Sequence, residues 1–184
     1  LLRPAYLKQR AALIQQGSAA QSMKTAQPGN PAPVLTSYAP MPLQTEYGTS
    51  HISIVDAQGH ALAMTTTVED QFGARMMVNR GKGLAGGFLL NNQLTDFSFA
   101  PTDASGAPIA NRVQPGKRPR SSMAPTLVYE KLPNGQRGAL VMSAGSPGGA
   151  LIIHYTAKTL YGTLNWGMNA QQAINLPNFG SLNG

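Results

Sequence analysis

Gly48-Thr49-Ser50-His51-Ile52-Ser53-Ile54-Val55-Asp56, followed by Ala61-Leu62-Ala63-Met64-Thr65-Thr66-Thr67, decides how this chain reads. Ile52 and Ile54 in the first run, and Leu62 and Met64 in the second, alternate with small or polar residues. A period of two marks β-strands, and Asp56-Ala57-Gln58-Gly59 between the runs is turn chemistry. The pair is therefore expected as a β-hairpin, apolar on its buried face, with Thr49 near the open end. A threonine there also serves as plain strand filler, because β-branched residues suit a pleated sheet. The choice between filler and function turns on what lies at fixed places further along.

Upstream, residues 1–25 read as one helical piece, with Pro4 near its start, a rough apolar face and Gly17 as a stop. Residues 27–42 hold five prolines plus Gly29 and Asn30. That composition predicts a mobile, largely extended linker. Downstream, Met76-Met77-Val78 predicts a further strand, the four glycines of 81–87 a loop, and Phe88-Leu89-Leu90 a short buried strand. The glycine loop lacks the Ser or Thr after lysine that a phosphate loop needs. Asn91-Asn92-Gln93-Leu94-Thr95-Asp96-Phe97 is polar between apolar anchors, and buried amides require partners. Residues 98–116 read as a long loop, and 98–111 as a lid. Leu127–Tyr129 and Ala139–Met142 are strands joined around Pro133-Asn134-Gly135. A helix is expected after Gly149, and a second from Asn169 to Leu176. Strands followed by helices make the fold class α+β.

A chain of 184 residues is long enough for one domain with a sizeable core. It opens at Leu1 without a signal-peptide pattern and reads as an internal fragment. It holds no apolar run of membrane-spanning length. With zero Cys, disulfides and thiolate metal sites are excluded, and His51, His60 and His154 show no metal-ligand spacing. No metal or cofactor is expected. The net charge of +7 invites a nucleic-acid reading. Apart from Arg112 and Lys117-Arg118-Pro119-Arg120, however, the basic residues are scattered without interleaved aromatics, so a solvated basic loop is the stronger reading.

A hydroxyl is a poor nucleophile without a base beside it. His51 would share a strand face with Thr49, yet no carboxylate is placed to orient its imidazole, so His51 reads as structural. The other solution is to cut the chain before the threonine. The freed α-amine, with a pKa near ~8, then serves as base for its own side chain. Gly148-Gly149, at a strand-to-helix junction, offers two unobstructed N–H groups, a recipe for an oxyanion hole as well as for a tight turn. Ser121 and Ser122 suit a carboxylate, and Glu69 and Asp96 an ammonium, or else a turn and two surface acids.

Five blocks occur in one order: Thr49-Ser50-His51, Thr65-Thr66-Thr67, Leu89 to Phe97, Lys117 to Thr126 (KRPRSSMAPT), and Gly145-Ser146-Pro147-Gly148-Gly149. Together they resemble the γ-glutamyltransferase family of N-terminal-nucleophile hydrolases. The resemblance implies a partial αββα sandwich. It divides the chain into 1–48, the end of a large subunit with its connector, and 49–184, a C-terminally incomplete small-subunit catalytic region. Members cut themselves into two subunits, so the rest of the large subunit is the implied partner in a heterodimer.

Carried over to this sequence, Thr49 attacks the Gly48–Thr49 peptide and is then the nucleophile. Thr67 bonds to Thr49 and sets its geometry. Gly148 and Gly149 form the oxyanion hole. Ser121 and Ser122 receive the substrate α-carboxylate, and Glu69, Gln93 and Asp96 surround its α-ammonium. The resemblance also places an α-carboxylate arginine upstream, outside this chain. It implies a γ-glutamyl donor such as glutathione, an acceptor that is water, an amino acid or a peptide, and a periplasmic or secreted location. Ser50 stands where a second threonine is commoner. Glu69 stands where some members carry an amide or hydroxyl. Two rivals remain: a cephalosporin (glutaryl) acylase of the same family, and a non-enzymatic module using basic loop 112–120.

Overall fold

A computed structural model describes residues 2–14, 29, 38–44, 48–79, 81, 83 and 86–182. They fall into two compact units, 1–38 with 181–184, and 39–180. In the first unit the helix α1 (Pro4–Ala11) starts on its proline, whose fixed φ suits a first turn. It buries none of its residues. The helix expected beyond residue 14, and prolines 28, 31 and 33, lie outside the described residues.

The second unit carries the expected hairpin. Strands β1 (Gly48–Val55) and β2 (Ala61–Glu69) pair antiparallel, with Ile52 opposite Met64 and His51 opposite Thr65. Gly59 closes the turn at φ 84°. The buried face is not the one the apolar alternation predicts. Ile52, Ile54, Leu62 and Met64 remain 37–52% exposed, whereas Thr49, His51, Ala63, Thr65 and Thr67 are all half-buried. What covers the polar face is the later strand Arg137–Ala144. The hydroxyl of its Ser143 donates to the Leu62 carbonyl and shares a hydrogen bond with the Ser53 hydroxyl, each at 3.1 Å.

Strands β3 (Met77–Val78) and β4 (Phe88–Leu89) form a short antiparallel pair. Phe88 is 63% exposed, so β4 is not the buried strand its composition predicts. A 3₁₀ turn, Gln93–Asp96, follows. Residues 98–116 are a loop, as expected, but a fastened one. Ser98 bridges to Arg112, Thr102 to Pro108 and Ala39 to Ile109. Ile109 is enclosed at 1% exposure. The same bridge ties down residue 39, so the stretch expected as a mobile linker is anchored at its far end. β5 (Thr126–Lys131) and β6 (Arg137–Ala144) pair as the second expected hairpin.

After β6 come a second 3₁₀ turn, Gly149–Leu151, and helix α2 (Ile152–Asn165). Helix α3 (Ala170–Asn175) opens with a capping box: the Asn169 side chain accepts from the Gln172 amide and Gln172 reaches back. Gly162 lets the two helices approach, since a Cβ there would lie 3.2 Å from the Ala173 Cβ. The Lys158 ammonium, buried at 4% exposure, donates to the Ile174 and Leu176 carbonyls and the Asn178 amide oxygen at 2.8–3.2 Å. All three of its donors are used at the C-terminus of α3.

The fold is α+β as predicted. Among the described residues the buried apolar ones are Ala39, Phe97, Ile109, Ala144, Ile152 and Ala173. Among the described residues no helix is long and apolar enough to cross a membrane, and no cluster of His, Cys, Asp and Glu has the size to hold a metal ion.

Candidate active site

At the open end of the β1–β2 hairpin the ladder breaks. Gly48 pairs with Glu69 and Ser50 with Thr66, so Thr49 alone stands opposite Thr67 and Val68. This is a β-bulge, a device that re-aims side chains at the rim of a sheet. Glu69 completes it at φ 77°, in the left-handed region that non-glycine residues rarely occupy. Thr67 sits at the centre. Its hydroxyl donates to the Gly48 carbonyl and accepts from the Glu69 amide at 2.8 Å. The Gly48–Thr49 peptide is thus held by its carbonyl from across the bulge.

The polar run 91–97 finds the partners its amides require. Asn92 accepts from the Asp70 amide at 3.1 Å and donates its own amide to the Val68 carbonyl at 3.2 Å. Asn91 accepts from the Gln93 amide at 3.0 Å. Thr95 donates to the Glu69 carboxylate at 2.9 Å. Glu69 and Asp96 are both buried, at 9% and 8% exposure. Burial pushes the Asp96 carboxyl above the ordinary aspartate range, while a hydrogen bond from Gln93 and the positive charge of Arg120 pull it partly back.

One cleft gathers these groups. Gly48, Thr49, Thr67, Glu69, Gln93, Asp96, Arg120, Ser121, Ser122, Met123, Gly149 and Ile152 line it. Every site residue anticipated from the sequence is there except Gly148, which lies one residue outside the lining. Gly148 precedes the 3₁₀ turn at φ 137°, and a Cβ there would strike the Tyr155 ring at 2.6 Å. Only glycine fits that position. Three further residues of the lining were not among the anticipated site residues: Arg120, counted with the basic loop, and Met123 and Ile152.

His51 has other work. Its ring nitrogens bond to the Thr65 hydroxyl at 2.9 Å and the Ser53 hydroxyl at 3.1 Å. The ring fills space above Gly145, where any Cβ would fall inside the imidazole. Its contacts are those of a packing residue. The basic loop is likewise occupied with itself. Lys117 donates to the Ala110 and Arg112 carbonyls, and the Arg112 guanidinium to the Ile109 carbonyl at 3.0 Å.

The family model described as gamma-glutamyltranspeptidase matches residues 1–182. The chain belongs to the gamma-glutamyltranspeptidase family. Among its relatives, the glutathione hydrolase proenzyme of Pseudomonas sp. (strain A14) is 40% identical over 139 residues, covering 71% of this chain and 22% of that protein. The glutathione hydrolase proenzyme of Bacillus subtilis (strain 168) is 33% identical over 180 residues, covering 96% and 28%. The chain therefore spans about a quarter of the length of these relatives. Among solved structures, an acivicin-inhibited gamma-glutamyltranspeptidase superposes with TM-score 0.54 at 34% identity, over 71% of this chain and 65% of that one. The T380A mutant of the Helicobacter pylori enzyme does so with the same score and identity, over 71% and 66%. The fold is thus that of the N-terminal-nucleophile hydrolases of the gamma-glutamyltranspeptidase family, in part.

Proposed function

We propose that the protein containing this chain is a γ-glutamyltransferase and hydrolase whose nucleophile is Thr49. The observation that carries this reading is the lining of one cleft. Thr49, the buried carboxylates of Glu69 and Asp96 and the hydroxyl-bearing Ser121 and Ser122 all line it. An amino-acid head group needs acceptors for its ammonium and donors for its carboxylate.

In the precursor, the Thr49 hydroxyl attacks the Gly48 carbonyl, whose oxygen already accepts from Thr67. The peptide becomes an ester, and water hydrolyses it. Gly48 then ends one subunit and Thr49 begins the next with a free amine. That amine removes the proton from its own hydroxyl as the oxygen attacks the γ-carbonyl of glutathione or a similar donor. Gly148 and Gly149 N–H groups receive the developing oxyanion, with the start of α2 behind them. The leaving amine takes the proton. Water, or the amine of an amino acid or peptide, then removes the acyl group from Thr49. Glu69, Gln93 and Asp96 hold the ammonium throughout, and Ser121 and Ser122 the carboxylate. The rest of the large subunit is the partner, and the location that goes with this reading is periplasmic or secreted.

A glutaryl acylase fits less well. Its acyl group has no ammonium, and Glu69 and Asp96 would face it uncompensated. A basic binding module also fits less well, because Lys117 and Arg112 donate to carbonyls of their own loop.

The test is Thr49→Ala in the full-length protein. Intact mass should show the wild type as two products cut between Gly48 and Thr49 and the variant as one uncut chain. Turnover of a γ-glutamyl anilide should fall by roughly 10⁴-fold or more. A variant still cut at that bond would remove Thr49 from its role.

A further inference from the structure

Gly148 and Gly149 end a loop that begins against a side chain from another strand. A Cβ on Gly145 would lie 2.1 to 2.7 Å from three atoms of the His51 ring. The Gly145 backbone is outside the left-handed region, so space against the ring, not conformation, demands glycine there. The ring is not free to swing aside. Its Nδ1 meets the Thr65 hydroxyl at 2.9 Å and its Nε2 the Ser53 hydroxyl at 3.1 Å. Hydroxyls both give and accept, so either neutral tautomer is satisfied. Ser53 in turn shares a hydrogen bond with the Ser143 hydroxyl at 3.1 Å. His51 therefore reaches β6 at residue 143 through Ser53 and seats the loop directly at residue 145. At the other end, Gly148 lies against the Tyr155 ring. Between the two rings the described residues leave a cavity of about 400 Å³, with His51, Gly145, Ser146, Pro147 and Tyr155 in its walls. A loop backed by open space lacks the close packing that would otherwise fix it.

We propose that His51 is a positioning residue for the oxyanion hole: its ring seats Gly145 and so sets where the Gly148 and Gly149 N–H groups point. This rests on the γ-glutamyl reading above. It extends that reading from the glycines that receive the charge to the side chain that holds them in place. The imidazole transfers no proton in this role and acts through the loop alone. Oxyanion donors favour the transition state over the bound substrate, and a misplacement of about 1 Å costs on the order of 10²-fold. The mark of such a residue is a loss in kcat with KM nearly unchanged. Acylation and deacylation both pass through the oxyanion, so kcat falls whichever step limits it.

The experiment uses the full-length protein and its His51→Ala, His51→Gln, Gly145→Ala and His51→Ala/Gly145→Ala forms. Rates on a γ-glutamyl anilide are taken per cut molecule, counted by intact mass. His51→Ala should lower kcat about 10- to 100-fold and move KM by less than about threefold. A boronate analogue of the γ-glutamyl group gives a second reading. The Thr49 oxygen adds to boron, the hydroxyl proton passes to the α-amine, and the tetrahedral adduct places an oxygen in the hole. Its inhibition constant should rise by the factor by which kcat falls. His51→Gln keeps a donor and an acceptor and should recover part of the loss. Gly145→Ala should cost more in the wild-type background than in His51→Ala, because only the former holds a ring for the methyl to strike. A Gly145→Ala form that fails to accumulate while the double form does shows the same relief; if neither accumulates, the kcat and boronate readings decide. If His51→Ala does not accumulate or cut itself, His51→Gln and its Gly145→Ala double form carry the comparison with smaller effects. An unchanged kcat, a raised KM in its place, an unchanged boronate constant, or equal costs of Gly145→Ala in both backgrounds overturns the proposal, and the γ-glutamyl reading then stands. A full-length wild type inert toward the γ-glutamyl anilide removes that reading, and this proposal with it.

Discussion

The two ends of the β1–β2 hairpin are built on opposite principles. At the turn, everything needed is local. The Asp56 carboxylate accepts from the Gln58 and His60 amides at 2.9 and 2.8 Å and meets the His60 ring at 2.7 Å. Gly59 takes the left-handed position with nothing within 4 Å of where a Cβ would be. At the open end, little is local. Glu69 and Asp70 are met by Thr95 and Asn92, more than twenty residues away in sequence, and the Gly48 carbonyl by Thr67 across the bulge. A left-handed non-glycine residue costs on the order of 1–3 kcal/mol and persists only where surroundings fix it. The open end is therefore where structure imposed from elsewhere accumulates, and it is where the cleft lies.

This contrast breaks most readily at Thr67. Thr67→Val keeps the shape and β-branching, but removes the donor to Gly48 and the acceptor for Glu69. Losing one such preorganised donor costs roughly 10²- to 10³-fold in related chemistry. Self-cleavage in the full-length protein should slow by that order, followed as the appearance of the two products by mass over time. An unslowed variant would mean that the bond from Thr67 to the Gly48 carbonyl plays no part in cleavage.

The hairpin was legible from its period of two, and α3 from its cap Asn169, because both signals are carried by adjacent residues. Which face the hairpin buries was not legible. Ile52 and Ile54 are the more apolar, yet β6 covers the face of His51 and Thr65. Alternation tells that a strand has two faces and leaves the choice to what packs against it. The uncovered apolar face suits a chain spanning about a quarter of its relatives' length. Phe88 follows the same logic, an aromatic strand residue that stays 63% exposed. The nine site residues were placed by the resemblance of five blocks, and eight of them line one cleft. Arg120 was missed for a different reason. Charge in an extended segment does not show which way the segment faces, and here the cleft, not the composition, decides it.

A smaller effect sharpens the comparison through Asp96. Its carboxyl is raised by burial beyond what Gln93 and Arg120 pull back, so it gains its proton at a higher pH than an ordinary aspartate. Only the ionised form holds an ammonium. The KM for a γ-glutamyl donor should therefore rise on the acid side at a pH above the ordinary carboxylate range. For stability the sign is the reverse: ionising a carboxyl whose folded pKa is raised weakens the fold, so Asp96 favours folding at low pH and loses that contribution as pH rises through its folded pKa. Asp96→Asn should remove this limb of the KM profile. A profile unchanged by the substitution would take Asp96 out of ammonium binding.

The smallest effect belongs to the turn. His60, first, and the amides of His60, Gln58 and Gly59 hold the Asp56 carboxyl below its ordinary range. Its contribution to folding is present above the unfolded pKa and is lost as pH falls through the folded one. Asp56 is nevertheless at the solvent-facing tip of the hairpin, and its partner His60 is 82% exposed. Exposed pairs of this kind contribute little because water and salt screen them. Asp56→Asn keeps an oxygen that can accept from the Gln58 and His60 amides, and removes the charge and the oxygen that meets the His60 ring. Self-cleavage and kcat/KM should stay within about twofold of wild type, and the melting temperature within about 2 °C. A loss on the scale expected for Thr67→Val would mean that strain at the open end is transmitted along the full length of both strands. The two ends would then be one mechanical unit, and the bulge at Thr67 and Val68 would no longer insulate the cleft from the turn.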